Sequence, residues 1–466
     1  MANKAGGQDF AGMRSVTLAK AIPVVCETDV LIAGGGIAGC MAAVTAARNG
    51  ARVTLIERFG TLGGNMGPGM FSGGVVHLAL VNPDAMAGGL KGIVGEFLGR
   101  CGAYAGGQLG HDYFYDSQVV SYVWLKMMEE NNVALMLNAC VSGPILDGGR
   151  VTGLIVETKS GSQAVMAKVT IDATGDADVA FLAGCPMDDG HVYFHPGCYF
   201  AIGGVDETRY LDFLKNAPPP DPADLEWGRK TFLDNGMPWY VASLNPMLPF
   251  LKKAWNEGEY RIVGRVAGRA AISVDHGFYT PKRGIVGAQV GLWGSGMDCG
   301  DAALRTELEV GSRKWIFETA QFLRRLIPGF EQARLHVIAP YFHNRGGRSP
   351  ICDYTLTKED VRTGARFDDA IFHTWGDEVK EGEFTMEGFD FPYRQLLPQQ
   401  AEGLLMAGRS AIIQPPVNRT RYKVMLMGQA AGLAAALAAR DGVSPRQIDV
   451  QELRRILVTR YQVPSA

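Results

Sequence analysis

The chain lacks several features that would place it quickly. Its eight cysteines (Cys26, Cys40, Cys101, Cys140, Cys185, Cys198, Cys299, Cys352) are scattered through 466 residues with no C-x-x-C among them. That excludes a dense disulfide framework, a cysteine zinc site and a dithiol redox motif, and mostly reduced, buried thiols are expected. An excess of one charge is missing too. A formal net charge of −3 gives no electrostatic case for nucleic acid or an anionic membrane as partner. The best candidate for a membrane span, Val424 to Ala439, is interrupted by Gly428, Gln429 and Gly432 and is too short. The first fifteen residues contain no apolar run of the signal-peptide kind, so a cytoplasmic protein is expected. No G-x-S-x-G elbow supports hydrolysis by a serine triad. His191 and His195, with Asp189 and Cys198 nearby, are spaced as a possible metal pair. Pro196 makes a helix there doubtful and no clear third ligand follows, so no metal is expected.

What is present is a soluble-globular composition, 47% hydrophobic and 20% charged, rich in glycine (60 residues). The length suits two or three domains. The most informative stretch is Asp29 to Arg58. An apolar run, Val30 to Ala33, suits a buried parallel strand. Gly34, Gly36 and Gly39 follow in G-x-G-x-x-G spacing, then a helical segment ending near Asn49-Gly50 and a second strand, Val53 to Ile56, leading into Glu57. In such a unit the first glycine allows the tight turn, the second lets a pyrophosphate approach the backbone, and the third lets helix and strand pack closely. A diphosphate then sits on free N–H groups at a helix N-terminus, and an acid about 20 residues on accepts ribose hydroxyls. A dinucleotide is expected here. A second such fingerprint is absent, which argues against a pyridine-nucleotide disulfide reductase.

Further along, residues 1–25 read as a lead-in, and residues 58–74 as a glycine-rich loop whose backbone approaches something flat or bulky. The spacing predicts a helix over 118–130, a strand over 133–137, and a hairpin formed by 151–158 and 164–171. The last strand runs into Thr174-Gly175-Asp176. Prolines and aromatics change the texture from Pro186 to about Gly329, as an inserted domain would. A helix is expected over 301–327. A buried strand is expected at 403–409, ending in Gly408-Arg409, and a small-residue helix over 425–439.

Together these pieces resemble the bacterial FAD-dependent oxidoreductases with a glutathione-reductase-like FAD domain. The likeness rests on the glycine turn with Glu57-Arg58, Leu62-Gly63-Gly64, Tyr115-Asp116, Gly149 to Gly153, Ile171 to Asp176, and Ala183-Gly184. It continues through Arg345 and Arg348 with Asp353-Tyr354, Leu356-Thr357, Pro392-Tyr393-Arg394, Ala407-Gly408-Arg409, and Gly428 to Gly432. It covers most of 22–186 and 335–460 and is weakest in 187–334.

The resemblance implies an α/β fold: a Rossmann-like FAD-binding domain of parallel sheet plus β-meander, with an inserted α+β substrate or cap domain. The expected division is a lead-in at 1–25, FAD-binding parts at 26–186 and 335–466, and the insert at 187–334. It implies FAD as cofactor. Gly34, Gly36, Ala38 and Gly39 would hold the pyrophosphate, and Glu57 with Arg58 the adenosine ribose and its surroundings. Gly63 and Gly64 would run beside the ribityl chain or flavin, with Val141 offering its backbone to adenine. Thr174, Gly175, Asp176, Gly408 and Arg409 would approach the diphosphate and ribityl. The helix carrying Gly428, Gln429 and Ala431 would aim its N-terminus at the flavin pyrimidine edge, where reduced flavin carries negative charge.

With FAD bound, protein groups position substrate and move a proton. His77, His343, His373 and Tyr393 are candidates, His343 foremost because it lies just ahead of the arginine pair. Arg345, Arg348, Arg394 and Arg419 could clamp a carboxylate or carbonyl. The expected reaction is hydride transfer between flavin N5 and a C–H bond of a small organic substrate bound between the FAD and cap domains. Electrons would pass to a separate acceptor or dioxygen. A monooxygenase using NAD(P)H and dioxygen, or a non-catalytic flavin-binding protein, stays open, as does a homo-oligomeric state.

Overall fold

A computed structural model describes residues 4–5, 8–9, 19–67, 69, 75–77, 90–105, 112–114, 117–188, 197–275, 277–278, 284–293, 300–343, 347–375, 388–411 and 420–465. Contacts divide the chain into two compact units. The first comprises Met1–Pro68, Gly73–Val192 and Gly346–Ala466, and the second Gly69–Ser72 and Tyr193–Arg345.

The first unit is built on a seven-stranded sheet. Strand β1 (Val24–Ala33) is exposed where it begins and fully buried over Val30–Ala33, as a strand entering the middle of a covered sheet must be. Helix α1 (Ile37–Arg48) follows, then β2 (Val53–Glu57), parallel to β1 and buried along its whole length. Helix α2 (Ser117–Glu130) leads to β3 (Ala134–Leu137), parallel to β2. A meander of β4 (Cys140–Asp147), β5 (Arg150–Thr158) and β6 (Gly161–Asp172) is antiparallel, but β6 also pairs in parallel with β1. The long strand β6 therefore joins the parallel sheet to the meander. This is a mixed α/β, Rossmann-like domain.

The second unit has a five-stranded antiparallel sheet of β7 (Gly197–Gly203), β8 (Val263–Val266), β9 (Arg269–Ile272), β10 (Ile285–Leu292) and β11 (Arg334–Ile338). Strand β11 pairs with β7, so this unit runs past the boundary expected at 334. Its long helix, α3 (Ala302–Leu326), buries Leu308, Trp315, Ile316, Phe322 and Leu323. Asp301 caps it by accepting from the N–H groups of Ala303 and Leu304.

The chain then returns to the first unit. Strands β12 (Ala370–Thr374) and β13 (Phe389–Pro392) pair antiparallel. Strand β14 (Leu404–Met406) adds to the main sheet beside β6, in parallel. Helix α4 (Arg421–Asp441) begins four residues before the start the spacing suggests. Among the described residues it is the one helix long and apolar enough to cross a membrane, and it is buried within the protein.

Candidate functional site

The glycine turn between β1 and α1 is held from three sides. Gly34 has a φ of +104°, and a Cβ there would strike the carbonyl of Ala173 at the end of β6. Gly39 packs equally tightly on the Gly34 carbonyl. Gly36 differs: a Cβ built on it meets nothing within 4 Å. It is the N-cap of α1, with no side-chain cap and no acidic residue in the first turn. The first N–H groups of that helix have no intrahelical partner, and the open space lies before them. Two glycines are thus required by packing, and the middle one borders vacant volume at a positive helix end. That is what a bound pyrophosphate needs, so the residues present fit a dinucleotide.

Four other segments reach this turn. Glu57, buried at the end of β2, accepts from the N–H of Gly35 (2.7 Å) and of Phe59 (2.9 Å). Burial raises its pKa, opposed by those two backbone donors. Arg58 beside it is exposed and lies over the Phe59 ring at 4.8 Å. The Leu62-Gly63-Gly64 loop lies directly on the turn. Gly63 bridges to Gly36 and donates to the Gly35 carbonyl at 2.8 Å, and a Cβ on Gly64 would sit 3.0 Å from Gly36 Cα. Ala139 N donates to the Glu57 carbonyl, which places half-buried Val141 close to this end of the sheet.

At the end of β6, Asp172 is fully buried and organises the Thr174-Gly175-Asp176 turn. It accepts from Thr174 Oγ1 (2.7 Å), Thr174 N (3.1 Å) and Ala180 N (3.0 Å). Burial, the largest influence, pushes its pKa up to about 6 against those donors. The turn presents Asp176, which pairs with Arg409 at 2.7 Å. Gly175 and Gly347 both lie against that guanidinium, where a side chain would displace it. A Cβ on Gly408 would come 2.8 Å from that of Ala38, so the Gly408-Arg409 turn rests on the first turn of α1.

Helix α4 completes the arrangement. Gly428 abuts the carbonyl of Ala38 and Gly432 that of Ala42. Equal steps along both helices mean that they run parallel, and α4 begins at Arg421, about 9 Å before the level at which α1 begins. Ala431 and Gln429 are buried, and Gln429 Nε2 finds no hydrogen-bond partner among the described residues.

A family model for the FAD dependent oxidoreductases matches residues 29–457. The chain belongs to that family. It is an FAD-dependent oxidoreductase, and its cofactor is FAD. Comparison with curated proteins gives no match. Among solved structures it is similar to a geranylgeranyl bacteriochlorophyll reductase-like protein from Thermoplasma acidophilum (14% identity over 94% of this chain and 84% of that one, TM-score 0.42). It is also similar to p-nitrophenol 4-monooxygenase from Pseudomonas putida DLL-E4 (14%, 94% and 85%, 0.41). A third is anhydrotetracycline hydroxylase from Streptomyces rimosus (14%, 94% and 67%, 0.40).

The residues expected to handle substrate are divided between the two units. His343 belongs to the second unit, where it is buried, exchanges backbone hydrogen bonds with Gly197 at 2.9 Å, and lies 4.8 Å from the Tyr199 ring. Arg348 belongs to the first unit. Its guanidinium donates to Asp178 (2.5 Å) and to the Asp176 carbonyl (3.2 Å), and covers the Phe181 ring at 4.0 Å. Tyr393 is buried with its hydroxyl donating to the Pro445 carbonyl, and burial raises its pKa well above that of an ordinary phenol. Arg394 forms a forked pair with Asp369 and lies 5.2 Å from the Tyr354 ring. His373 Nδ1 lies 2.8 Å from Oδ1 of buried Asp390, within hydrogen-bonding distance. Arg345, Arg419, His191, His195, Tyr115-Asp116 and the His77 side chain lie outside the described residues. Two features escaped the sequence reading. The Asp172-Ala-Thr174 spacing is an Asx-turn signal that could have exposed the anchor of the second turn. Lys423, buried in α4 and donating to the Trp375 carbonyl at 2.5 Å, leaves no such trace.

Proposed function

We propose that this oxidoreductase moves a hydride between flavin N5 and a C–H bond of a small organic substrate, and that it holds FAD along the first unit. The observation that carries the placement is Gly36, open before an uncapped helix N-terminus while its neighbouring glycines are packed shut. FAD, when bound, supplies the redox chemistry at its N5. The protein residues bind and orient. The N–H groups at the start of α1, from Gly36 to Gly39, take the pyrophosphate. Glu57, already fixed by Gly35 and Phe59, keeps lone pairs for ribose hydroxyls, with Arg58 beside it and the Val141 backbone near adenine. Gly63 and Gly64 flank the turn. Thr174, Gly175 and Asp176, with Gly408 and Arg409, line its other side. The positive end of α4, with Gln429 and Ala431 in the helix body, favours negative charge on the reduced cofactor.

Proton transfer is assigned to His343, and recognition of an anionic or carbonyl substrate group to Arg345. Arg348, held by Asp178 and the Phe181 ring, is assigned to anchoring the Asp176 turn. Tyr393 and Arg394 have partners that suit anchoring of the fold, and no transfer step is assigned to them. The chain carries only one dinucleotide fingerprint, which supports electrons entering from the substrate instead of from NAD(P)H. Anaerobic mixing tests this. Bleaching of the flavin spectrum by a small organic substrate alone is expected, and bleaching only by NAD(P)H would replace the reading with a monooxygenase. In the same assay His343→Asn should slow reduction by about 10²–10⁴-fold while leaving flavin content unchanged.

A further inference from the structure

Cys185 and Cys352 are far apart in sequence and carry no motif, yet the backbone sets them side by side. Met187 and Pro350 form an antiparallel bridge. Ile351 N donates to the Pro186 carbonyl (2.8 Å) and Asp188 N to that of Ser349 (3.0 Å). The pairs 186/351 and 188/349 are therefore the hydrogen-bonded positions, and 187/350 is a non-hydrogen-bonded one. The same register puts Cys185 opposite Cys352, at the next non-hydrogen-bonded position. Cα atoms at such positions lie about 4.5 Å apart, inside the range of about 4.4–6.8 Å that a disulfide spans. Opposed residues in an antiparallel pair share a face, and both side chains are buried in the core of the first unit.

We propose that Cys185 and Cys352 are a cross-strand dithiol that hydrogen peroxide converts to a disulfide. One thiol, as thiolate, attacks a peroxide oxygen to give a sulfenic acid and hydroxide. The second sulfur attacks the sulfenic sulfur, forms the S–S bond and releases water. Two thiols and one peroxide thus become one disulfide and two waters, with the cysteines oxidised and the peroxide reduced. Burial keeps the pair slow to react: it raises Cys185 to about 11, helped by Asp172 and opposed by Arg446, and raises Cys352 further, with Cys185 adding to the effect. The oxidant must therefore be small. The bond would close a loop from 185 to 352, tying the point where the chain leaves the first unit to the point where it returns. A cross-link over so long a loop constrains the unfolded chain strongly.

The test uses the full-length flavoprotein, reduced, exposed to hydrogen peroxide, then denatured in iodoacetamide, digested and examined by mass spectrometry. Exposed Cys140 is the internal control for reagent access. The expected product is one cross-linked species joining the Cys185 and Cys352 peptides, two hydrogens lighter than their sum, with a higher melting temperature than the reduced protein. Cys185→Ser and Cys352→Ser should each abolish both changes. Full alkylation of both cysteines under conditions that oxidise Cys140, or linkage of either to a different cysteine, would overturn the proposal. If a serine variant does not fold, the cross-linked peptide from the unaltered protein decides alone.

Discussion

Single residues set the glycine turn at which FAD is proposed to bind, and two of them make opposite demands on substitution. At Gly36 a Cβ meets nothing within 4 Å, so the apoprotein has room for it, but a larger side chain would fill the volume proposed for the pyrophosphate. Gly36→Val should therefore fold, with a melting temperature near that of the apoprotein, and purify without flavin. A normal ratio of flavin to protein absorbance would refute the assignment. Asp172 makes its demand through charge. Its folded pKa of about 6 lies above the ordinary value of 3.8, so the folded state holds its proton more tightly than the unfolded chain does. The sign follows. Its contribution to stability is largest below about pH 4 and falls as pH rises through 6, by about 3 kcal/mol for a shift of this size. Asp172→Asn removes that titration, although its amide nitrogen cannot accept from Ala180 N. Melting curves from pH 4 to 7 should show the unaltered protein losing ground to the variant as pH rises. Parallel curves would mean that Asp172 does not titrate in this window.

At the scale of elements, the proposed FAD site would make the parallel contact between α1 and α4 join cofactor binding to stability. Gly428 and Gly432 both lie against carbonyls of α1, but only Gly428 faces Ala38, in the first turn of that helix. Either change to alanine overpacks the contact and should cost about 1–3 kcal/mol in denaturant unfolding. Gly428→Ala should also weaken FAD retention, and Gly432→Ala should leave it nearly unchanged. Equal flavin loss in both would show that the whole contact, instead of its first turn, shapes the site. The Asp29 to Arg58 unit is legible in sequence because its information is local: strand, turn, helix and acid follow one another. The start of α4 is not. Arg421, Tyr422 and Lys423 read as a polar approach to a helix, whereas Lys423 is buried, with its ammonium on the Trp375 carbonyl and over the Phe389 ring at 5.3 Å. The seating of Gly63 on Gly36 is equally hidden, since no periodicity reports which loop lies on which turn. Tyr393 and Arg394 stand out as chemistry by residue type and by the Pro392-Tyr393-Arg394 motif, and the partners that occupy them come from chain segments no local pattern connects.

Over the whole molecule, the segments around the α1 turn come from nearly the full length of the chain. Residues 34–39, 57–64, 174–176, 408–409 and 428 all belong to the first unit, although a second compact unit lies between them in sequence. A ligand held by all of them favours the state in which the early and late parts of the chain are folded together, because it binds only that state. The size of the effect is set by mass action: at a free FAD concentration a hundredfold above its Kd, the gain is about 2.7 kcal/mol. Hydrogen exchange with and without FAD measures it. The amides of β1, β6, β14 and α4 that exchange only on unfolding of the first unit should slow together, by about a hundredfold, despite their separation in sequence. Slowing confined to residues 34–64 would mean that the cofactor rests on the amino-terminal unit alone. The later turns at Asp176 and Arg409 would then be joined to it by packing, with no share in binding.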